Sequence, residues 1–490
     1  MYWRDEFKSK LMSAEEAVKP IKPGDRVHIP LTEPPSLLVD TLAMRMGDVK
    51  GVHIDVSAPT SPMPWFNPGY EESFPVTVWN YAGVSRLGLQ ERRLDYIPMA
   101  ITAVAHILDD ERRPGETKPI DHLLVKVTAP NERGYCTFGT SLWYKQTCVK
   151  YAKRVVAEID DNMTRCHGDT FIHVSQIDAF VENTTQLPTD EDVEALLSAM
   201  EPERLAKVRP IVDKIGPRTR GRILPLVQLL PLELVDMLPS YLALIEPGDT
   251  EKAIAGHLST LIRDRDCVQT GVGTPSAYMP ELGAYDHAHD LGYHSEMAAR
   301  GIARLVERGV ITGKYKNFHP DKAIASNWDG CDEEETSSII SDNPKFEIYD
   351  ASYVWSTYHR NDNMTATNNI ISIDLSGQIN SETIFGTMII NGPGGQPESH
   401  MGALRARGGR SISLMRSSAV EGTISNVVSQ FEPGTTVTIP RYWADYVISE
   451  YGIARLMGKS LRERAGELTA IAHPDFRASL KKEAQRLFYP

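Results

Sequence analysis

The chain has 490 residues, 41% of them hydrophobic and 24% charged, a composition of folded globular protein rather than disorder and a length too great for one ordinary core. Its net charge of −13 argues against a general nucleic-acid surface, while leaving room for a local basic patch that grips a phosphorylated ligand. Cys136, Cys148, Cys166, Cys267 and Cys331 are odd in number and form no C-x-x-C pair, so neither a disulfide framework nor a metal site is expected and a reducing compartment fits.

Met1 to Lys8 mixes charges of both signs and lacks the apolar stretch of a signal peptide. The spacing of apolar residues predicts a helix over 36–46, and the apolar runs at 52–57, 123–128 and 154–159 predict strands. From Thr189 to Pro247 the chain becomes rich in Leu, Pro and charge and reads as a helical insertion. Its most apolar part, Ile223 to Ile245, is interrupted by Pro225, Pro231, Glu233, Asp236 and Pro239, which excludes a continuous membrane helix and predicts several short helices; a cytoplasmic protein without a membrane partner is expected. Leu226, Leu229, Leu230, Leu234, Leu238 and Leu242 recur at near-helical spacing, so this insertion is expected to bury an apolar face against a partner subunit or a cleft, with a homodimer as the default assembly.

Further on, a helix is predicted over 296–309 and strands over 369–374, 383–390 and 436–439. Ser460 and Glu463 have the spacing of a capping box, and a last helix is predicted over 474–487. The alternation of strands and helices predicts α/β architecture, with domains at 1–188 and 248–490 flanking the 189–247 insertion.

Glu296 lies in Asp290-Leu-Gly-Tyr-His-Ser-Glu-Met297, between the glycine turns Gly271-Val-Gly273 and Gly392-Pro-Gly-Gly-Gln396. A desolvated carboxylate beside an activated acyl group can attack it and form an anhydride, and exposed N–H groups of glycine loops can hold the resulting oxyanion. Taken alone, such a glutamate is more often a solvated surface residue, and Gly392–Gly395 more often a plain turn. His294 suits a structural, orienting role better than that of a general base. Arg405, Arg407 and Arg410 cluster around Gly408-Gly409 and would suit phosphates, or else form an ordinary solvated loop. Neither glycine loop completes the G-x-G-x-x-G pattern of a dinucleotide-binding dehydrogenase.

Many ordered motifs together resemble the acetyl-CoA hydrolase/transferase family, which includes 4-hydroxybutyrate and succinyl-CoA:acetate CoA-transferases. In the C-terminal half these are Gly271-Val-Gly273, Gly292-Tyr-His-Ser-Glu-Met297, Asn361-Asp-Asn-Met364, Asp374-Leu-Ser-Gly-Gln378, Gly392-Pro-Gly-Gly-Gln396, Gly408-Gly-Arg-Ser-Ile412, Glu450-Tyr-Gly-Ile-Ala454 and Gly458-Lys-Ser460. The N-terminal half matches more loosely, through Ile21 to Val27, Arg93 to Pro98, Asn131 to Cys136 and His167 to Asp169. The resemblance implies two related open α/β domains with a cleft between them. It also implies a ping-pong CoA-transferase in which Glu296 forms first an acyl-glutamyl anhydride and then a glutamyl-CoA thioester that an incoming carboxylate resolves. A hydrolase would resolve the same intermediate with water, and a non-catalytic CoA-binding protein would keep the fold alone. Coenzyme A enters as acyl-CoA substrate, with small carboxylates as the other partner and no metal. Gly271, Val272, Gly273, Gly392, Gly394, Gly395 and Gln396 are implied around the thioester, Arg405, Arg410 and Lys459 as CoA contacts, and His294 and Ser295 as orienting residues.

The chain departs from the family where Gly-Gly-Gln-x-Asp-Phe becomes Gly394-Gly-Gln-Pro-Glu-Ser399, which puts substrate choice in doubt; Ser449 and Met457 replace the usual threonine and basic residue. Trp65, Phe66, Phe74, Trp79 and Tyr81 are candidates either for an acyl pocket or for core.

Overall fold

The structure is a computed structural model. It describes residues 2–489 except 31–33, 58, 60–61, 81–84, 109–114, 116, 185–186, 230–231, 236–237, 242–243 and 245, and leaves the side chains of 106, 218, 222, 225, 226, 229, 233, 234, 240 and 241 undescribed. By internal contacts the chain divides into a unit of residues 1–182 and 249–490 and a second unit of residues 183–248, so the two α/β parts form one compact body.

The larger unit contains two big sheets. The strands are β1 (Arg26–Ile29), β2 (His53–Ser57), β3 (Val76–Trp79), β4 (Leu94–Ile97), β5 (His122–Val127), β6 (Val155–Ile159), β7 (His167–Gly168) and β8 (Ala179–Glu182). From the C-terminal part come β9 (Cys267–Thr270), β10 (Gly292–Met297), β11 (Ala323–Asn327), β12 (Phe346–Ile348), β13 (Met364–Asn369), β14 (Arg410–Leu414), β15 (Tyr446–Ser449) and β16 (Gly452–Arg455). The first sheet runs β8-β6-β5-β1-β2-β3-β4, all parallel. The second runs β16-β15-β14-β13-β9-β10-β11-β12-β7, parallel except that β16 turns back on β15. Covered on both faces, a parallel sheet has no wet side, which is why strands such as His122–Val127 are near-continuous apolar runs.

The two sheets are wound alike. In each a central strand, β1 or β9, has the next three strands of the chain on one side; the other side carries three strands in the first sheet and four in the second, where β7 also joins beyond β12. In such a sheet the crevice opens at the carboxyl ends of the strands where the winding reverses, here beside β1 and beside β9. Matching β1 with β9 and β2 with β10 by register sets Ser57 where Glu296 stands, so only the C-terminal sheet carries a carboxylate at that strand end.

Several local expectations match closely. Helices occupy Ser36–Ala43, Leu461–Ile471 and Pro474–Phe488, and Ser460 and Glu463 form the reciprocal capping box. Others need correction. The predicted 296–309 helix begins only at Ile302, because Gly292–Met297 is a strand paired with β9 and β11. The 369–374 strand is two, β13 ending at Asn369 and a short strand Ser372–Asp374, and 383–390 is a small hairpin. Thr436–Ile439 forms no strand beyond one isolated bridge between Ile439 and Ile379.

The second unit is helical, with Asp190–Ser198, Pro202–Val212, Pro217–Leu229, Leu232–Val235 and Leu238–Tyr241. Pro225 lies within a helix rather than ending one. Val193, Leu197, Val208, Ile211, Val212, Leu224 and Val227 form a core of the unit's own, against which Leu238 packs. The side chains of the other five leucines of the predicted stripe lie outside the described residues. Among the described residues no helix is long and apolar enough to cross a membrane.

Candidate active site

Glu296 is the penultimate residue of β10, at the carboxyl edge of the sheet next to the central strand. Alternation along the strand puts Tyr293 and Ser295 on one face and His294 and Glu296 on the other. Ser295 is buried and its hydroxyl donates to the carbonyls of Thr270 (3.2 Å) and Met297 (2.9 Å), pinning the end of β10 to β9. His294 is buried, with Nε2 3.1 Å from both the Val354 carbonyl and Thr357 Oγ1, and desolvation holds its pKa well below the usual histidine range. A neutral ring with those partners orients the helix Ala351–Thr357 over the strand.

That helix and its C-cap deliver two aromatic residues, Trp355 and Tyr358, that no local sequence signal marks. Trp355 packs edge-on against Tyr358 at 4.7 Å, and Tyr358 against His294 at 5.3 Å. Tyr358 is fully buried, and the charges of Glu296 and Glu398 and the backbone of Glu296 act on its hydroxyl. The Trp355 ring also lies directly against Gly395: a Cβ there would fall 1.6 Å from its Cζ2. Gly394 has φ +52°, so the turn Gly392–Gly395 is shaped by its own backbone needs and by this ring.

The turn leads into the helix Gln396–Arg405, which packs on β13 and β14. Gln396 is buried and donates through Nε2 to the Asn369 carbonyl (3.2 Å). Asn369, at the end of β13, ties the other glycine turn: its Oδ1 accepts from Ser276 N (2.8 Å) and its Nδ2 donates to the Val272 carbonyl (2.6 Å). Asn369 therefore ties the two glycine loops to each other at the carboxyl edge of the sheet. The Gly271 N–H is already given to the Thr367 carbonyl (2.7 Å), which corrects its expected role as a free donor. The N–H groups of Val272, Gly273, Gly394 and Gly395 donate to no other described residue, and Val272 is exposed.

Glu296 is half-buried, and removal from solvent together with the nearby Glu398 carboxyl pushes its pKa up to about 8. Glu398, in the first turn of Gln396–Arg405, is buried; Thr102 N donates to its Oε1 at 3.2 Å and the Thr102 hydroxyl donates to the same oxygen. Sequence reasoning flagged the loop holding Glu398 as unusual but had no means of bringing Thr102 to it, the two being 296 residues apart.

The basic residues expected around CoA have places and partners of their own in the fold. Arg405 ends the helix whose start faces Glu296, and Arg410 begins β14, so both mark the amino edge of the sheet. Arg410 is buried, paired with Asp266 and donating to Thr365 Oγ1 (2.9 Å), and has no freedom to reach a phosphate. Arg407 pairs with Asp362. Lys459 follows β16, which runs back toward the same amino edge, and it pairs with Glu467. The aromatic candidates are mostly core: Trp65, Phe66 and Phe74 belong to the apolar cluster of the first sheet, Trp79 to the larger shared one, and Tyr81 lies outside the described residues.

With a carboxylate and two glycine turns at the carboxyl edge, the comparisons with known proteins decide the family. Residues 1–189 match the acetyl-CoA hydrolase/transferase N-terminal domain and residues 333–484 the C-terminal domain of the same family. The chain belongs to the acetyl-CoA hydrolase/transferase family. A 4-hydroxybutyrate coenzyme A transferase of Clostridium kluyveri is 32% identical over the full length of both chains. A succinyl-CoA:cyclohexane-1-carboxylate CoA transferase of Geobacter metallireducens is 29% identical over 99% of this chain and 97% of its own. The crystal structure of a 4-hydroxybutyrate CoA-transferase from Porphyromonas gingivalis superimposes with a TM-score of 0.69 at 26% identity, covering 99% of this chain and all of that one. The chain is an enzyme of the CoA-transferase kind.

Proposed function

We propose that this member of the family moves CoA from an acyl-CoA thioester to a free carboxylate by a ping-pong route through Glu296. The observation that carries the reading is the Glu296 carboxylate at the carboxyl end of its strand in the C-terminal sheet, partly desolvated and flanked by two glycine turns with unspent N–H groups. Glu296 Oε attacks the thioester carbonyl and the C–S bond breaks, giving an acyl-glutamyl anhydride and CoA thiolate. The thiolate attacks the glutamyl carbonyl and expels the first carboxylate; a second carboxylate then reverses the sequence. N–H groups of Val272, Gly273, Gly394 and Gly395 are the donors available for the oxyanions, and Gln396, His294 and Ser295 hold the surrounding backbone. Val272, exposed between its glycines, suits contact with the pantetheine arm.

Small carboxylates and acyl-CoA are the substrates this chemistry needs. A hydrolase would use water at the glutamyl thioester, and partial exposure of Glu296 permits it. A matrix of acyl-CoA donors against carboxylate acceptors separates the two, because only transfer makes a new thioester whose identity follows the acceptor. Incubation with acyl-CoA alone should leave CoA on a peptide containing Glu296, and borohydride should inactivate the enzyme only after that exposure. Glu296→Ala should lower turnover by on the order of 10³-fold or more while the fold persists. Near-normal turnover of the folded variant, or absence of the adduct with sequential kinetics, rejects the reading.

A further inference from the structure

Ser326 stands beside Glu296 on the neighbouring strand. β10 and β11 run parallel with Ser295 against Ala325 and Met297 against Asn327, so the register sets Ser326 against Glu296. Register partners of a parallel pair point to the same face, and adjacent strands lie about 4.8 Å apart. The Ser326 hydroxyl and the Glu296 carboxyl therefore project side by side, across a span that the methylenes of the glutamate cover.

Ser326 is fully buried, and its Oγ has no hydrogen-bond partner among the described residues. The serine next to Glu296 on its own strand is different, since the Ser295 hydroxyl is spent on the carbonyls of Thr270 and Met297. A buried hydroxyl has given up water, and one that makes no bond in return calls for an explanation. The backbone around Ser326 is held firmly. Its carbonyl accepts from Leu142 N (3.1 Å) and Trp143 N (3.0 Å), and two residues on Trp328 N donates to the Thr140 carbonyl (2.8 Å). The hydroxyl thus has a set place, and its proton is free to be donated there.

The other flank of Glu296 offers donors of another kind. β9 ends at Thr270 and passes into the Gly271–Gly273 turn, where the N–H groups of Val272 and Gly273 donate to no other described residue. Transfer through Glu296 makes oxyanions at two different carbons. Attack by the glutamate on the thioester puts charge on the acyl oxygen. Attack by CoA thiolate on the glutamyl carbonyl puts charge on the oxygen that the glutamate did not use.

We propose that the Ser326 hydroxyl is a catalytic hydrogen-bond donor to this non-attacking oxygen of Glu296, which leaves the glycine-turn N–H groups to the acyl oxygen. This rests on Glu296 being the nucleophile. In the carboxylate, the bond fixes the plane of the group and turns the attacking oxygen toward the β9 flank. When the S–C bond forms at the glutamyl carbon, the carbonyl electron pair moves onto the oxygen that Ser326 holds, and a donor aimed at developing charge stabilises it. The pair then returns and the C–O bond to the acyl carboxylate breaks, so that carboxylate leaves with the bonding electrons. In the other half-reaction the incoming carboxylate attacks the same carbon and the thiolate leaves in the same way. Ser326 keeps its proton throughout.

The test uses the full-length enzyme with the acyl-CoA and carboxylate of highest turnover, and compares Ser326→Ala, Ser326→Cys and Ser326→Thr. Alanine has no donor and cysteine only a weak one in a side chain of similar bulk, whereas threonine keeps the hydroxyl. Ser326→Ala should lower kcat/KM by on the order of 10²-fold for acyl-CoA and for the carboxylate alike, because the glutamyl oxyanion forms in both half-reactions. The Kd of free CoA, measured by calorimetry, should stay at its wild-type value. Ser326→Cys should be about as slow as Ser326→Ala, and Ser326→Thr should recover most of the rate. A wild-type glutamyl-CoA adduct on Glu296, together with wild-type kcat/KM in folded Ser326→Ala or Ser326→Cys, overturns the role of Ser326 alone. Absence of the adduct in the wild-type enzyme overturns the nucleophile and this role with it. Recovery by cysteine as fully as by threonine shows that Ser326 only fills space, a loss confined to one substrate shows that it contacts that substrate instead, and either result also overturns the proposal.

Discussion

Gly395→Ala is the sharpest small perturbation of the site. The added methyl would sit 1.6 Å from Cζ2 and 2.1 Å from Cη2 of Trp355, whereas carbon atoms in contact lie ~3.5–4.0 Å apart, so the ring or the glycine turn must yield by ~2 Å. The ring has little room, being buried and packed edge-on against Tyr358, which in turn contacts His294 and closes on Gly402. Overpacking of this kind costs about 1–3 kcal/mol of stability. A displacement of ~1 Å in positioned donors costs ~10²-fold in rate, about 2.7 kcal/mol in the barrier. The assay is kcat/KM for acyl-CoA together with thermal unfolding followed by circular dichroism. Gly395→Ala should lose about two orders of magnitude in kcat/KM, and adding Trp355→Leu should return part of it, since contacting residues couple by ~0.5–3 kcal/mol. Wild-type kcat/KM and Tm in Gly395→Ala would refute the packing argument, and strict additivity of the two substitutions would show that Trp355 is not what fixes the turn.

Two further outcomes follow from buried charge. Burial and Glu398 raise the Glu296 pKa from 4.5 to about 8, so the folded state holds a proton that the unfolded state has released, and wild-type stability falls as pH rises through that window. Glu296→Gln removes this component, so its Tm should exceed that of wild type by more at pH 8.5 than at pH 5; equal differences at both values would mean that Glu296 is not strained by ionisation. Arg410→Gln leaves Asp266 buried without its ion-pair partner, and should cost roughly 3–5 kcal/mol while the KM for acyl-CoA of the folded fraction stays unchanged, whereas a raised KM at unaltered stability would restore Arg410 as a phosphate contact.

Features governed by neighbours a few residues away were legible in the sequence. The Ser460–Glu463 capping box, the last helix and the strands near 53–57, 122–127 and 155–159 need only local spacing or an apolar run, and the ordered motifs identified the family from residue identities alone. Helical spacing misplaced Glu296, because apolar residues on both sides of a buried parallel strand do not alternate and the run continues into Ile302–Glu307 without a local mark of the boundary. Sequence proximity likewise grouped Arg405, Arg407 and Arg410 beside glycines near the candidate loop, yet a helix and a strand start carry them to the opposite edge of the sheet. The pairing of Glu398 with Thr102, the wedge of Trp355 on Gly395 and the nearness of Glu398 to Glu296 were decided only by tertiary structure. Each joins segments separated by tens to hundreds of residues through the winding of the sheet, and a charge or ring gains its partner only when that winding brings the two ends together.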